Sequence, residues 1–368
     1  MNRGGPLHFQ PINLELDLVI GKDSGPDEYI LYRPFDVLTD GNDRILIPDA
    51  TRYAILVYSS SGTYMGSVGR KGEGPGEFIS FPRLQLWRNG VLDAMVNNGR
   101  WQRWSLAREL EFDRRPLDIS SSMSTNRYPA ASGDCSVVIS DPFYGGAHRD
   151  TSSGWWVYLK EHSDEPHQVV TLLRRGGAEL IRGQFEGDNL GTIAPYSAKM
   201  ILRQKPAGGF IVCYPDSAQY TCYDERFNQY QVVQWDQPLE PLSKDEVVEG
   251  FSIYNPAPAW GKDQLIRWVK SLSWPDTKPV ISDVLVGIDN RIWLELWDNE
   301  PWARRPVQFR ERDTFRYLVF LPSGEMELVV ELPFKLRAAS RDYLFELVRD
   351  GESTPQVKRY RWWIGETL

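Results

Sequence analysis

The chain has 368 residues, 41% of them hydrophobic, and a formal net charge of −8. That length and apolar content can bury one large all-β core or two ordinary ones, and the negative charge argues against a general nucleic-acid or anionic-membrane binder. No stretch reaches the roughly 18 apolar residues of a transmembrane helix, and three cysteines do not make a disulfide scaffold.

The opening Met1-Asn2-Arg3-Gly4-Gly5-Pro6 lacks the apolar core of a signal peptide, which leaves a cytoplasmic chain or one whose leader has been removed. Ile12 to Leu18 alternates apolar and polar residues and predicts a strand standing ahead of the main pattern. Residues 33–82 then read as a complete four-stranded meander. Its strands are Phe35–Asp40, Arg44–Pro48, Tyr53–Tyr58 and Thr63–Val68, with Gly41-Asn42-Asp43, Asp49–Arg52 and Ser59–Gly62 as turns. It ends in Gly72-Glu73-Gly74-Pro75-Gly76-Glu77-Phe78 and is closed by Pro82.

Weaker copies of this order occupy 83–126, 127–193, 194–238, 277–333 and 334–368, and the last stops one strand short. The N-terminal segment 9–20 is the donor expected to complete it. The expectation is therefore an all-β fold, a six-bladed β-propeller forming a single domain over 1–368, closed by an N-terminal strand that completes the last blade. Two stacked β-sandwiches are the alternative, and they would leave that strand without a place. Residues 239–276 predict a small helical insertion between blades four and five. Ser243 and Glu246 form a capping box ahead of Lys244–Glu249. Lys262–Leu272 puts Leu265, Trp268, Val269 and Leu272 on one face, read as docking surface against the propeller body.

The glycine-rich run is not a nucleotide loop. Pro75 removes an amide donor, and Phe78 to Pro82 cannot open a helix, so the glycines are expected to make the inter-blade crossing and Phe78 to plug the seam. The four histidines (His8, His148, His162 and His167) have no metal-ligand spacing, and no hydrolase motif occurs. No cofactor is expected, although a calcium ion held by carbonyls and carboxylates in the channel is left open. Cys213 and Cys222 lie across a hairpin, where either two packed thiols or a bridge would fit; packed thiols are preferred.

Loop length is asymmetric. Turns between strands one–two and three–four are short, whereas the opposite face carries Asp141–Gly154, Arg174–Ile193, Asp236–Asp276 and Asp298–Asp313. Long loops on a rigid scaffold are where binding usually resides. Arg149, Arg174, Arg175, Arg304, Arg305 and Arg310 fall there with Tyr144, Trp297 and Trp302. Guanidinium groups beside aromatic planes suit carboxylates, acidic sugars or acidic peptide segments.

Residues 33–82 resemble an NHL-type repeat. The whole chain resembles bacterial six-bladed β-propeller proteins with the Gly-x-Gly-Pro-Gly-Glu-Phe ending, through that motif, through Lys278-Pro279-Val280 to Trp293, and through Tyr360-Arg361-Trp362. The resemblance implies a fold more than an activity, and an exported protein of the periplasm or cell surface. The functional expectation is a non-enzymatic binding propeller that engages a protein partner or anionic glycan through the loops of blades three to five. The alternative is a lactonase- or lyase-like enzyme with a metal in the channel. Asp36 stands near an inner-strand start, but no matching set from other blades is apparent in the sequence.

Overall fold

A computed structural model of the chain describes residues 8–79, 83–87, 90–96, 100–105, 125–129, 135–140, 155–161, 170–175, 180–185, 188–193, 200–254, 262–271, 274, 276–297, 314–349 and 354–365. It is an all-β propeller with few helices.

In chain order, β1 (Ile12–Ile20) is followed by the sheet of β2 (Leu38–Thr39), β3 (Ile45–Asp49), β4 (Ala54–Tyr58) and β5 (Tyr64–Val68). The next sheet has three described strands, β6 (Arg83–Leu86), β7 (Val91–Val96) and β8 (Arg100–Ser105). Then come β9 (Thr125–Pro129), β10 (Cys135–Ser140), β11 (Trp155–Glu161) and β12 (Val170–Arg175), and a separate hairpin of β13 (Leu180–Phe185) and β14 (Asp188–Ile193). The fourth meander is β15 (Ile201–Gln204), β16 (Phe210–Cys213), β17 (Gln219–Tyr223) and β18 (Gln229–Gln234). Helices α1 (Lys244–Tyr254) and α2 (Lys262–Ser271) lead to β19 (Ile281–Val286), β20 (Ile292–Leu296), β21 (Phe315–Phe320) and β22 (Met326–Leu332). Last are β23 (Leu336–Ala339), β24 (Tyr343–Val348) and β25 (Gln356–Ile364). Strand β1 lies antiparallel to β25, from Ile12 opposite Ile364 to Ile20 opposite Val357, so among the described residues five sheets are four-stranded.

Strands of the first meander are apolar at successive positions because both sheet faces are covered. Side chains alternate in direction along a strand. Ile45, Ile47, Leu56 and Tyr58 therefore pack toward Ala338, Phe345 and Val357 of the last sheet. Leu46, Ile55 and Val57 pack the other way, toward Leu86, Leu92 and Trp104 of the second. The same two-sided packing joins β16–β17 to β20–β21, through Ile211, Tyr220, Leu294 and Phe320. It also joins β20–β21 to the last sheet, through Trp293, Tyr317, Leu336 and Trp362. The cores therefore lie in the seams between consecutive sheets.

The glycine-rich run closes one seam. Phe78 is fully buried and meets Trp104 edge-on at 5.7 Å. Its amide donates to the Arg70 carbonyl at 2.7 Å, and Gly72 donates back to the Phe78 carbonyl at 3.1 Å. Gly74 donates to Glu77 Oε2 and Gly76 to Gln102 Oε1, both at 2.8 Å. These amides are already engaged, which leaves them no role as a phosphate cradle.

Helix α1 runs to Tyr254, beyond the expected Glu249, behind a reciprocal capping box. The Glu246 amide donates to Ser243 Oγ at 3.2 Å, and the Ser243 amide donates to Glu246 Oε2 at 2.9 Å. Trp268 and Val269 of α2 are buried. Leu272 lies outside the described residues. Cys213 and Cys222 are free buried thiols, out of register with each other because Ile211 faces Cys222 and Tyr220 faces Cys213.

Candidate functional site in the central channel

The innermost strands β2, β6, β15, β19 and β23 surround a cavity of about 480 Å³. Strand direction sets its polarity. Asp36, Asp283 and Lys335 stand near the starts of inner strands, at the end of the channel nearest the inter-sheet crossings. Glu295, near the end of the antiparallel β20, returns to the same level directly opposite Asp283. Like charges in that position repel, and cations hold them together. Lys335 Nζ lies 3.4 Å from Asp283 Oδ2 and 3.0 Å from Glu295 Oε2. Arg203 reaches across from β15, placing Nη2 2.5 Å from Asp283 Oδ1 while Nε donates to the Val284 carbonyl at 2.8 Å. The Tyr317 hydroxyl accepts the Leu336 amide at 2.9 Å and fixes where β23 begins.

Asp36 and Asp283 are equivalents in different sheets. Each precedes its turn by the same interval, and each accepts the amide of the following valine, at 2.9 Å and 2.8 Å. Their electrostatics diverge. Burial pushes the Asp36 carboxyl above the usual carboxylate range, only partly opposed by the Arg337 guanidinium. Burial would raise Asp283 too, but Arg203 and Lys335 outweigh it and hold it below that range. Both side chains are walled by protein yet touch the water of the channel.

A second group of cations is less well matched. Among the described residues no carboxylate lies within ion-pair distance of Arg337. Burial and the neighbouring Arg337 charge together lower the pKa of Arg349, whose buried Nη2 has no hydrogen-bond partner among the described residues. Toward the turns the wall is mixed, with half-buried Leu38, Leu84, Leu285, Val286 and Ile288 beside Thr39, Gln85 and Gln204.

Most residues expected from the sequence to bind fall elsewhere. Arg149, Tyr144, Trp302, Arg304, Arg305 and Arg310 lie outside the described residues. Arg174 and Arg175 are not loop residues: they end β12, opposite Trp156 and Trp155. The strand Val170–Arg175 includes both. Residues 180–193 likewise form the β13–β14 hairpin, with Phe185 facing Asp188 across a two-residue connection, rather than an open loop. Trp297 is also not a surface aromatic. It continues the buried run of β20, is 8% exposed, and donates its amide to the Val280 carbonyl at 2.9 Å. The matching set for Asp36 that the sequence did not reveal is Arg203, Asp283, Glu295, Lys335 and Arg337. One signal for it was present, since Asp36-Val37-Leu38 recurs as Asp283-Val284-Leu285 at the same distance from a turn.

Among the described residues no three His, Cys, Asp or Glu side chains are grouped to hold a metal ion. The channel carboxylates are interleaved with Arg203, Lys335 and Arg337, whose charges oppose a divalent cation there. No described helix is long and apolar enough to cross a membrane.

Residues 24–97 match the family described as 6-bladed beta-propeller, DUF5128. No curated protein matches the chain in sequence. Among solved structures, a candidate exported protein of Bacteroides fragilis is 11% identical, with 96% of each chain covered and a TM-score of 0.50. A DUF4221 family member from Bacteroides vulgatus is 9% identical, with 98% of this chain and 100% of that one covered and a TM-score of 0.52. At such identities the likeness shows fold alone. The chain is similar to bacterial six-bladed β-propeller proteins, with its first meander carrying the family match.

Proposed function

We propose that the chain is a six-bladed, extracytoplasmic, non-enzymatic binding propeller that takes an anionic group of a saccharide or protein partner at the mouth of its central channel. The observation that carries the reading is the charged cluster of Asp36, Arg203, Asp283, Glu295, Lys335 and Arg337, gathered from separate sheets around one cavity. The connection through α1 and α2 enters β19 at that end of the channel. Six blades follow if the three-stranded sheet β6–β8 counts as a blade beside the five four-stranded ones, with β1 as the closing strand. An extracytoplasmic location draws support from the exported Bacteroides fragilis relative in fold.

The test is calorimetric titration of the purified chain with a panel of acidic and neutral oligosaccharides and acidic peptides. Saturable binding of acidic members that is lost in Lys335→Ala or Arg337→Gln, and unchanged capture of neutral ones, is the expected result. Binding indifferent to both channel substitutions would overturn the reading. A second reading, acid–base catalysis, draws on the opposite pKa shifts of the equivalent Asp36 and Asp283. Turnover of a lactone or unsaturated uronate, abolished by Asp36→Asn, would favour it instead.

A further inference from the structure

Three polar side chains of the channel wall have unmet hydrogen-bonding capacity, and each asks something different of a ligand. Among the described residues Arg337 makes no hydrogen bond or ion pair, which leaves its guanidinium donors for a charged acceptor. Asp36 accepts only the amide of Val37, and burial holds its carboxyl toward the neutral form. Such a carboxyl pairs with a hydroxyl, as acceptor or donor, better than with an ammonium, which needs the full charge. Gln85 donates through Nε2 to the Leu86 carbonyl at 3.1 Å, and its Oε1, without a partner among the described residues, calls for a neutral donor. Asp283 and Glu295, by contrast, are already held by Arg203 and Lys335. The three unmet side chains come from consecutive sheets, the last, the first and the second, which share seams. They also stand at similar heights. Counted back from Ser340, Asp40 and Trp87, whose amides close the inner turns, Arg337 is third, Asp36 fourth and Gln85 second. At about 3.3 Å per residue they span about 7 Å along the strands, the scale of one sugar ring with its carboxylate. Thr39, Gln85 and Gln204 interrupt the leucines of the wall, so a purely apolar body would leave polar groups unpaired there. A carboxylate side chain of an acidic peptide would satisfy Arg337 but brings no hydroxyls for Asp36 and Gln85.

We propose that the channel binds a hexuronate, its carboxylate against Arg337 and its ring hydroxyls against Asp36 and Gln85. This rests on the channel mouth being the ligand site, and it selects a saccharide over a protein partner. Arg337 recognises the charge, while Asp36 and Gln85 recognise the hydroxyls that distinguish a sugar acid from other carboxylates.

The experiment titrates the full chain with galacturonate and glucuronate, with galactose, which lacks the carboxylate, and with cyclohexanecarboxylate, which lacks the hydroxyls. At least one uronate should bind about tenfold or more tightly than either control, because only a uronate meets both demands. Arg337→Gln should weaken that uronate by about 10- to 100-fold, the effect of removing a charge-assisted hydrogen bond, and leave galactose unchanged. Gln85→Met, which keeps the side-chain length, should weaken uronate and galactose alike by about 2- to 10-fold, the range of a neutral hydrogen bond. It should leave cyclohexanecarboxylate unchanged, a split that a merely structural role for Gln85 would not give. Cyclohexanecarboxylate binding as tightly as the uronates, or uronate binding indifferent to Gln85→Met, overturns the proposal while leaving the channel as an anion site. A glutamate tetrapeptide that binds more tightly than the uronates, and through Arg337, does the same. Failure of every anion to bind would overturn both.

Discussion

Substituting Gly69 and Phe78 singly and together measures how tightly the glycine-rich run is fitted to its seam. A Cβ placed on Gly69 would stand 2.1 Å from Phe78 Cε2, 2.6 Å from Cδ2 and 2.8 Å from Cζ, all inside contact distance. Gly69 also sits at φ +86°, where a non-glycine residue costs about 1–2 kcal/mol. Forcing the ring aside adds the roughly 1–3 kcal/mol typical of an overpacked core, so Gly69→Ala should cost about 2–5 kcal/mol. Phe78→Ala empties a fully buried site and should cost about 3–5 kcal/mol. In the double variant the ring is gone, the clash vanishes, and only the backbone part of the glycine cost remains. The two losses should fall short of additivity by about 1–3 kcal/mol. Urea unfolding followed by tryptophan fluorescence reads this directly, because Trp104 packs edge-on against Phe78. Additive losses would mean that the ring does not rest on Gly69, and the account of this motif as a seam plug would be wrong.

Arg359→Ala should destabilise the chain by roughly 3–5 kcal/mol in the same assay, since it breaks a nearly buried pair with Asp17 and a 2.7 Å donation to the Ser60 carbonyl; a loss under about 1 kcal/mol would contradict the pairing. Cys213 and Cys222 should resist a thiol reagent in native Cys135→Ser protein and react on unfolding, because burial pushes the Cys213 thiol up to about 12 and Cys222 upward as well. Prompt labelling without denaturant would count against their burial. Glu246 is lowered from 4.5 to about 2 by Lys278 and by the Ser243 amide and hydroxyl. A folded-state pKa below the unfolded one contributes stability at pH above about 4.5, and that stability is lost as pH falls toward 2. Glu246→Gln should flatten the pH dependence across that window, and an unchanged acid limb would assign the dependence to other carboxylates.

The meander at 33–82 was legible because local rules agree there. Turn residues, apolar runs and the glycine-rich ending all specify the same four strands, and Ile45-Leu46-Ile47 is apolar throughout because both faces are covered. The capping box at Ser243 was legible for the same reason, since its chemistry is complete within four residues. The channel was not. Arg203, Asp283, Lys335 and Asp36 are brought together only when sheets are set side by side, and no local period records that. Arg174, Arg175 and Trp297 misled because charge and aromaticity suggested a surface, whereas strand pairing and the continuation of β20 decided their places.

The pairing of β1 with β25 joins strands drawn from opposite ends of the sequence. During synthesis Ile12–Ile20 emerges long before its partner Gln356–Ile364. Until then β1 has an exposed edge, and the seam that Ile20 shares with Val357 and Ile47 stays unfilled. Native assembly of the last sheet therefore waits for Gln356–Ile364, and a truncation near residue 356 would leave β1 without its partner and two open strand edges available for self-association.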